Sequence, residues 1–154
     1  MYHKLNNLKS ILLLTVFLAL VAASCKKSNT NPQNSVGISL KLNGVAKTSS
    51  VVLADYIKSE STLQVMGKFG NSGVSLMINN IKTGTFDVAN GDVIATYSNT
   101  TNFDDTYIGL SGKVVITSFT SDMVSGTFDF TGNTPDSRTG TITEGKFTAK
   151  LLVQ

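Results

Sequence analysis

The sequence predicts an all-β domain, and three observations carry that expectation. Apolar and polar residues alternate with a period of two almost throughout residues 36–154. Glycine- and asparagine-rich turn signals recur about every eight to twelve residues. No segment shows a convincing helical period. The expected architecture is a single antiparallel β-sandwich, with a lipocalin-like meander barrel as the alternative.

Before the domain comes a leader. Lys4 and Lys9 stand in an acid-free start, and Ile11 to Ala23 form a run that is apolar but for Thr15, the pattern of a secretory signal. Spanning a bilayer takes ~20 consecutive apolar residues, and this run stops at Ser24 with Lys26 and Lys27 behind it. The leader is therefore read as removed.

Leu20-Val21-Ala22-Ala23-Ser24-Cys25 resembles a bacterial lipobox. That resemblance implies that residues 1–24 are cleaved and that Cys25, the single cysteine, becomes the acylated first residue carrying palmitate or similar chains. Ordinary cleavage is the alternative, since Val21-Ala22-Ala23 and Ala22-Ala23-Ser24 both fit an A-x-A site, and Ala22 stands where a lipobox prefers Leu. A lone cysteine has no disulfide partner within the chain, which favours the lipid. Two or three acyl chains on one residue hold a protein stably on a membrane, where a single chain does not.

Residues 25–35 read as this lipidated cysteine and a flexible tether, because Lys26 to Ser35 offer no apolar side chain to bury. Lys26 and Lys27 would lie at headgroup depth and each add about 1 kcal/mol of attraction to anionic lipid. The chain has 13 Lys and Arg against 10 Asp and Glu; without Lys4, Lys9, Lys26 and Lys27 the balance is nine against ten. The domain, residues 36–154, is near neutrality and has no basic stripe for phosphates, so nucleic acid is not an expected partner. It is expected to be monomeric.

Within the domain, Val36, Ile38, Leu40 and Leu42 alternate up to Asn43-Gly44, a strong hairpin signal. Val51 to Ile57 reads as the next strand. Leu63 to Phe69 and Val74 to Ile78 flank Gly70-Asn71-Ser72-Gly73 as a second hairpin. Thr85–Val88, Val93–Tyr97, Lys113–Phe119, Val124–Phe130 and Thr141–Val153 complete the series. A glycine precedes a phenylalanine by two residues in Gly67-Lys68-Phe69, Gly84-Thr85-Phe86, Gly126-Thr127-Phe128 and Gly145-Lys146-Phe147. This unit marks either a bulge or close strand approach, or a chance recurrence of sheet composition.

The runs Gly112-Lys113-Val114-Val115-Ile116-Thr117, Ser125-Gly126-Thr127-Phe128-Asp129-Phe130 and Thr143-Glu144-Gly145-Lys146-Phe147 resemble the C-terminal half of a family of small Bacteroidota envelope lipoproteins whose domain has no known function. Gly84-Thr85-Phe86 is similar to its preceding strand. The resemblance implies fold and compartment, and it brings no catalytic residues.

A search for reactive groups finds little. His3, the only histidine, lies in the leader, and an acylated Cys25 is no nucleophile, so histidine-based triads and thiolate sites lose their residues. Gly140-Thr141-Ile142-Thr143-Glu144-Gly145-Lys146 matches a phosphate-loop pattern up to its lysine, but Phe147 replaces the hydroxyl that would hold magnesium, and the segment alternates as a strand. No cofactor or metal is expected. Asn102, Asp104, Asp105 and Thr106 are the densest oxygen cluster, read as a solvated turn because calcium-loop spacing is absent. Tyr56, Tyr97 and Tyr107 are either a substitute sugar-stacking surface, in a chain without tryptophan, or half-buried strand residues.

The candidate contact loops are Ser98 to Asp105, with Asn102, Phe103, Asp104 and Asp105, and Gly132 to Thr139, with Pro135, Asp136 and Arg138, the only arginine. They share one end of the domain if Tyr107 to Phe119 is one strand bent at Gly109 and Gly112. They lie apart if Ser111-Gly112 is a turn.

The sequence thus points to a lipid-anchored, non-catalytic module contacting an envelope protein or extracellular ligand. A carboxylate-dependent glycan hydrolase and a small apolar-ligand barrel are the alternatives. The resemblance to lipoproteins implies acids just after the acylated cysteine for surface export, whereas Lys26 and Lys27 stand there and the first acid is Asp55. No Asp follows Cys25 to favour inner-membrane retention, so the expected place is the outer membrane, with its periplasmic face favoured over the cell surface.

Overall fold

The computed structural model describes residues 35–154; the leader, Cys25 and nearly all of the tether lie outside them. Ten strands form in chain order, and no α-helix occurs among the described residues.

β1 (Gly37–Leu42) and β2 (Val45–Ser49) form a hairpin through Asn43 and Gly44, whose φ angles of 48° and 83° are the two positive values a type I′ turn requires. The chain then rounds a corner at Ser50-Val51, where the Ser49 hydroxyl accepts the Val51 amide at 2.9 Å, and continues in the same direction as β3 (Val52–Ile57). A 3-10 turn, Lys58–Glu60, leads into β4 (Thr62–Phe69). The next hairpin is tighter than its glycine-rich run suggests. Ser72 already pairs with Phe69, leaving Gly70-Asn71 as the turn before β5 (Ser72–Ile78).

β6 (Gly84–Asp87) and β7 (Val93–Ser98) follow, then a 3-10 turn, Phe103–Asp105, and three long strands: β8 (Thr106–Phe119), β9 (Met123–Asn133) and β10 (Thr139–Val153). The strand expected at Lys113–Phe119 therefore begins seven residues earlier. Ser111-Gly112 is not a turn. The β8–β9 register shifts between Gly109 and Ser111, and Gly112 bends the strand with φ at 123°.

Strands β3-β4-β5-β7-β8-β9-β10 close on themselves as a seven-membered ring, the barrel form of the expected all-β architecture. β1 and β2 extend the sheet from β10, and β6 adds to β8. The closing contact is parallel, pairing Leu151 with Ala54 and Val153 with Tyr56, whereas its neighbours are antiparallel. The Ser50-Val51 corner is the cause. β2 runs parallel to β10 with β1 between them, and β3 keeps that direction on entering the ring.

Large side chains fill the ring: Leu63, Leu76, Ile78, Tyr97, Ile116, Phe128, Phe130 and Ile142 are all almost inaccessible. Two of the four glycine-x-phenylalanine units have a shared physical reason. Across β9 and β10, Phe147 pairs with Gly126 and Phe128 with Gly145, so each ring lies over the other strand's glycine. A Cβ on Gly126 would come within 2.8 Å of the Phe147 ring, and one on Gly145 within 2.6 Å of the Phe128 ring. The two rings stand 6.3 Å apart at 41°. Gly67 instead makes room for Ile38, and Gly84 faces open space but has φ at 141°, so in these two units the glycine answers a different local need and not the phenylalanine two residues on.

Candidate functional site

Because β8 is continuous, the two candidate loops meet. Ile108 pairs with Asn133 at the base of both, and Asn133 pairs with Thr139. Each loop is first braced on itself. In the first, the Asn102 side chain accepts the Asp104 amide at 3.2 Å and caps the Phe103–Asp105 turn, while Thr100 donates from Oγ1 to Asp105 Oδ2 at 2.8 Å. In the second, Thr134 is buried, its hydroxyl donates to Asp136 and accepts the Arg138 amide at 3.0 Å. Ser137, at φ 66°, completes the tight turn by donating its amide to the Thr134 carbonyl.

Arg138 then joins the loops. Its Nε donates to both oxygens of Asp136 at 3.0 and 2.9 Å, and its Nη2 donates to the Asp104 carbonyl at 3.1 Å and to Asp105 Oδ1 at 3.0 Å. The planar guanidinium suits this fork, which a lysine could not reproduce. Asp104 keeps its carboxylate outside the clamp, Pro135 is exposed, and Phe103 is 65% exposed at the tip. All seven residues singled out in these loops thus lie at one end. Thr100 and Thr134, which brace the clamp, are not recognisable from composition, since isolated threonines are common in this chain.

Hydrogen bonds from Arg138 and Thr100 hold the Asp105 carboxyl below the usual carboxylate range, and those from Thr134 and Arg138 do the same for Asp136. Both acids raise the guanidinium in turn. This carboxylate pair is therefore arranged to stay ionised, whereas glycoside hydrolysis needs one acid protonated. A carboxyl with a depressed folded pKa contributes above its unfolded value and loses that contribution as pH falls through the folded one, so the clamp holds at neutral pH and loosens only in acid below the ordinary aspartate range. In carbon-detected NMR, the Asp105 and Asp136 carboxyls are expected to titrate below ordinary aspartate. In Arg138→Gln both should move up; an unchanged Asp105 titration would mean that the clamp does not persist in solution.

The tyrosines do not form an exposed platform. Tyr97 and Tyr107 are buried, and Tyr56 packs edge-on against Phe119 at 5.2 Å. Among the described residues, no group of three or more His, Cys, Asp or Glu could hold a metal ion, and no helix is long and apolar enough to cross a membrane.

A family model described as a domain of unknown function (DUF6252) matches residues 39–149, from β1 into β10. The chain belongs to that family. The matched span takes in both clamped loops and all three of the C-terminal motifs singled out in the sequence. No curated protein and no solved structure matches the chain.

Proposed function

We propose that this protein is a lipid-anchored envelope protein whose DUF6252 domain is a non-catalytic interaction module. Its contact surface is the clamped loop end, with Phe103 and Pro135 as the apolar tip and Asp104, Asp136 and Arg138 as the charged rim. The single observation that carries the reading is the Arg138 clamp. Two loops braced from both sides and tied by one guanidinium present an exposed aromatic ring at reduced entropic cost, the arrangement of a recognition hot spot.

The point at which the described chain enters the fold agrees with this use. Gly37 pairs with Thr148, and Thr148 with Ser125, whereas the loops leave from Asn133 and Thr139. Eight residues of β9 separate the two levels, about 26 Å at strand rise. A chain held through Cys25 would enter the domain at one end and offer Phe103 at the other. We place the anchor in the outer membrane, on its periplasmic face, with an envelope protein as the partner class.

Two measurements test this. With a fatty-acid probe, Cys25→Ala is expected to lose all labelling; equal labelling of mutant and parent would remove the anchor. A photo-crosslinking residue at Phe103 should capture a partner in intact cells, and one at Thr48, beside the tether entry, should not. Capture from both positions or from neither would sink the loop-end assignment.

A further inference from the structure

The outer face of the ring carries a second feature, which runs from Val51 to Ser98 at the base of the first loop. One cross-strand row runs Leu53, Met66, Ser75, Thr96, Ile108. Large apolar side chains stand at its two ends and small ones in the middle, so the face is a trough with Ser75 and Thr96 on its floor. Gly73 and Ser98 continue that floor, and Val51 and Leu53, 56% and 50% exposed, form one wall. The cavity measures about 410 Å³ and is mostly apolar. It crosses four strands, about 14 Å at the usual inter-strand spacing, and its volume is in the range of small-molecule sites.

Three observations select the occupant. Lys68 is the only charged residue lining the trough and makes no ion pair among the described residues. The hydroxyls of Ser72, Ser75, Thr96 and Ser98 and the Asn71 amide line the same trough. The trough also begins at Val51, next to Ser50, which lines the same surface depression as Ser35, where the described chain begins. With the anchor proposed at Cys25, ten residues before Ser35, an anchored domain would keep this end of the trough toward the bilayer. The face is too small for a stable homodimer: about 19 Å across five strands by about 17 Å along them is about 320 Å², against ~800 Å² per partner. A flat bilayer would leave the trough floor unfilled.

We propose that this groove binds one acyl chain bearing an anionic head, a fatty carboxylate or an equivalent lipophilic anion, with the hydrocarbon along the Val51–Leu53–Met66 wall and the head at Lys68. The local supply of such a ligand rests on the Cys25 anchor; the binding itself does not.

The test uses laurate titrated by calorimetry into the processed chain, residues 25–154, carrying Cys25→Ala and therefore no lipid. One-to-one binding is expected. Ser75→Tyr, which fills the trough floor from an outward-facing strand position, should abolish it while the far-UV spectrum is retained. Lys68→Gln should weaken laurate by about tenfold and leave neutral dodecanol unchanged. No heat with laurate at millimolar concentration, equal binding by Ser75→Tyr, or displacement by an apolar peptide but not by dodecanol would each overturn the assignment. So would self-association that Ser75→Tyr abolishes. Because no variant here depends on lipidation, a negative result leaves the anchor standing, and loss of fatty-acid labelling leaves the groove standing.

Discussion

Gly112→Ala is expected to cost about 3 kcal/mol or more, enough to remove a large share of the ~5–15 kcal/mol that a domain of this size has. Two penalties act together. The residue has φ at 123°, a conformation closed to a side chain and costing on the order of 1–3 kcal/mol when forced. A Cβ there would also come within 2.5 Å of Phe130 Cα and closer still to the Asp129 carbonyl oxygen, both backbone atoms of β9 that cannot swing aside. Relief requires β8 and β9 to separate at the bend that brings the two loops together. Urea denaturation with an unchanged slope measures the loss directly. The same variant should also weaken the Arg138 clamp, seen as faster amide exchange at Asn99 and Thr134. A loss below about 1 kcal/mol would show that the bend is more plastic than its geometry indicates.

That bend also marks where reading the sequence reaches its limit. The Asn43-Gly44 and Gly70-Asn71 hairpins are local, and the residues needed for their positive dihedrals sit next to the strands they join, so both are legible in one pass. Gly109 and Gly112 are not legible in this way. Glycine serves equally for a turn and for a bend within a strand, and only the β9 partner, reached through a distant hairpin, selects the second. The closure of β10 on β3 is similarly non-local. Its parallel sense follows from the corner at Ser50-Val51, which carries no turn signature stronger than two serines.

The candidate loops were legible as loops because they hold the acids, the proline and the only arginine between alternating runs. Their union was not, since it depends on β8. The outer trough was visible in part. Val51-Val52-Leu53-Ala54 is apolar at consecutive positions, which in a strand means that both faces are apolar. Leu53 and Val51 are the exposed members of that run, while Val52 and Ala54 belong to the core.

Phe128→Ala should have an effect at the upper end of the range for an aromatic truncation, about 4–5 kcal/mol. The side chain is 2% exposed and central in the ring. What sets this position apart is the reciprocal glycine pairing: Gly145 lies directly beneath the ring and has no side chain to move into the space, and the neighbouring Phe147 ring is held over Gly126. The cavity should therefore persist instead of collapsing, and the cost of a large-to-small substitution grows with the cavity left. Phe119 is the natural control. It is only half-buried and touches Tyr56 at the margin of the core, so Phe119→Ala should cost about 1–2 kcal/mol. Urea midpoints for the two variants, compared at equal slope, decide the matter. If Phe128→Ala costs no more than Phe119→Ala, the glycine-backed rings are not the packing centre of this fold, and Phe128 shares its load with Phe130 and Ile142 around it.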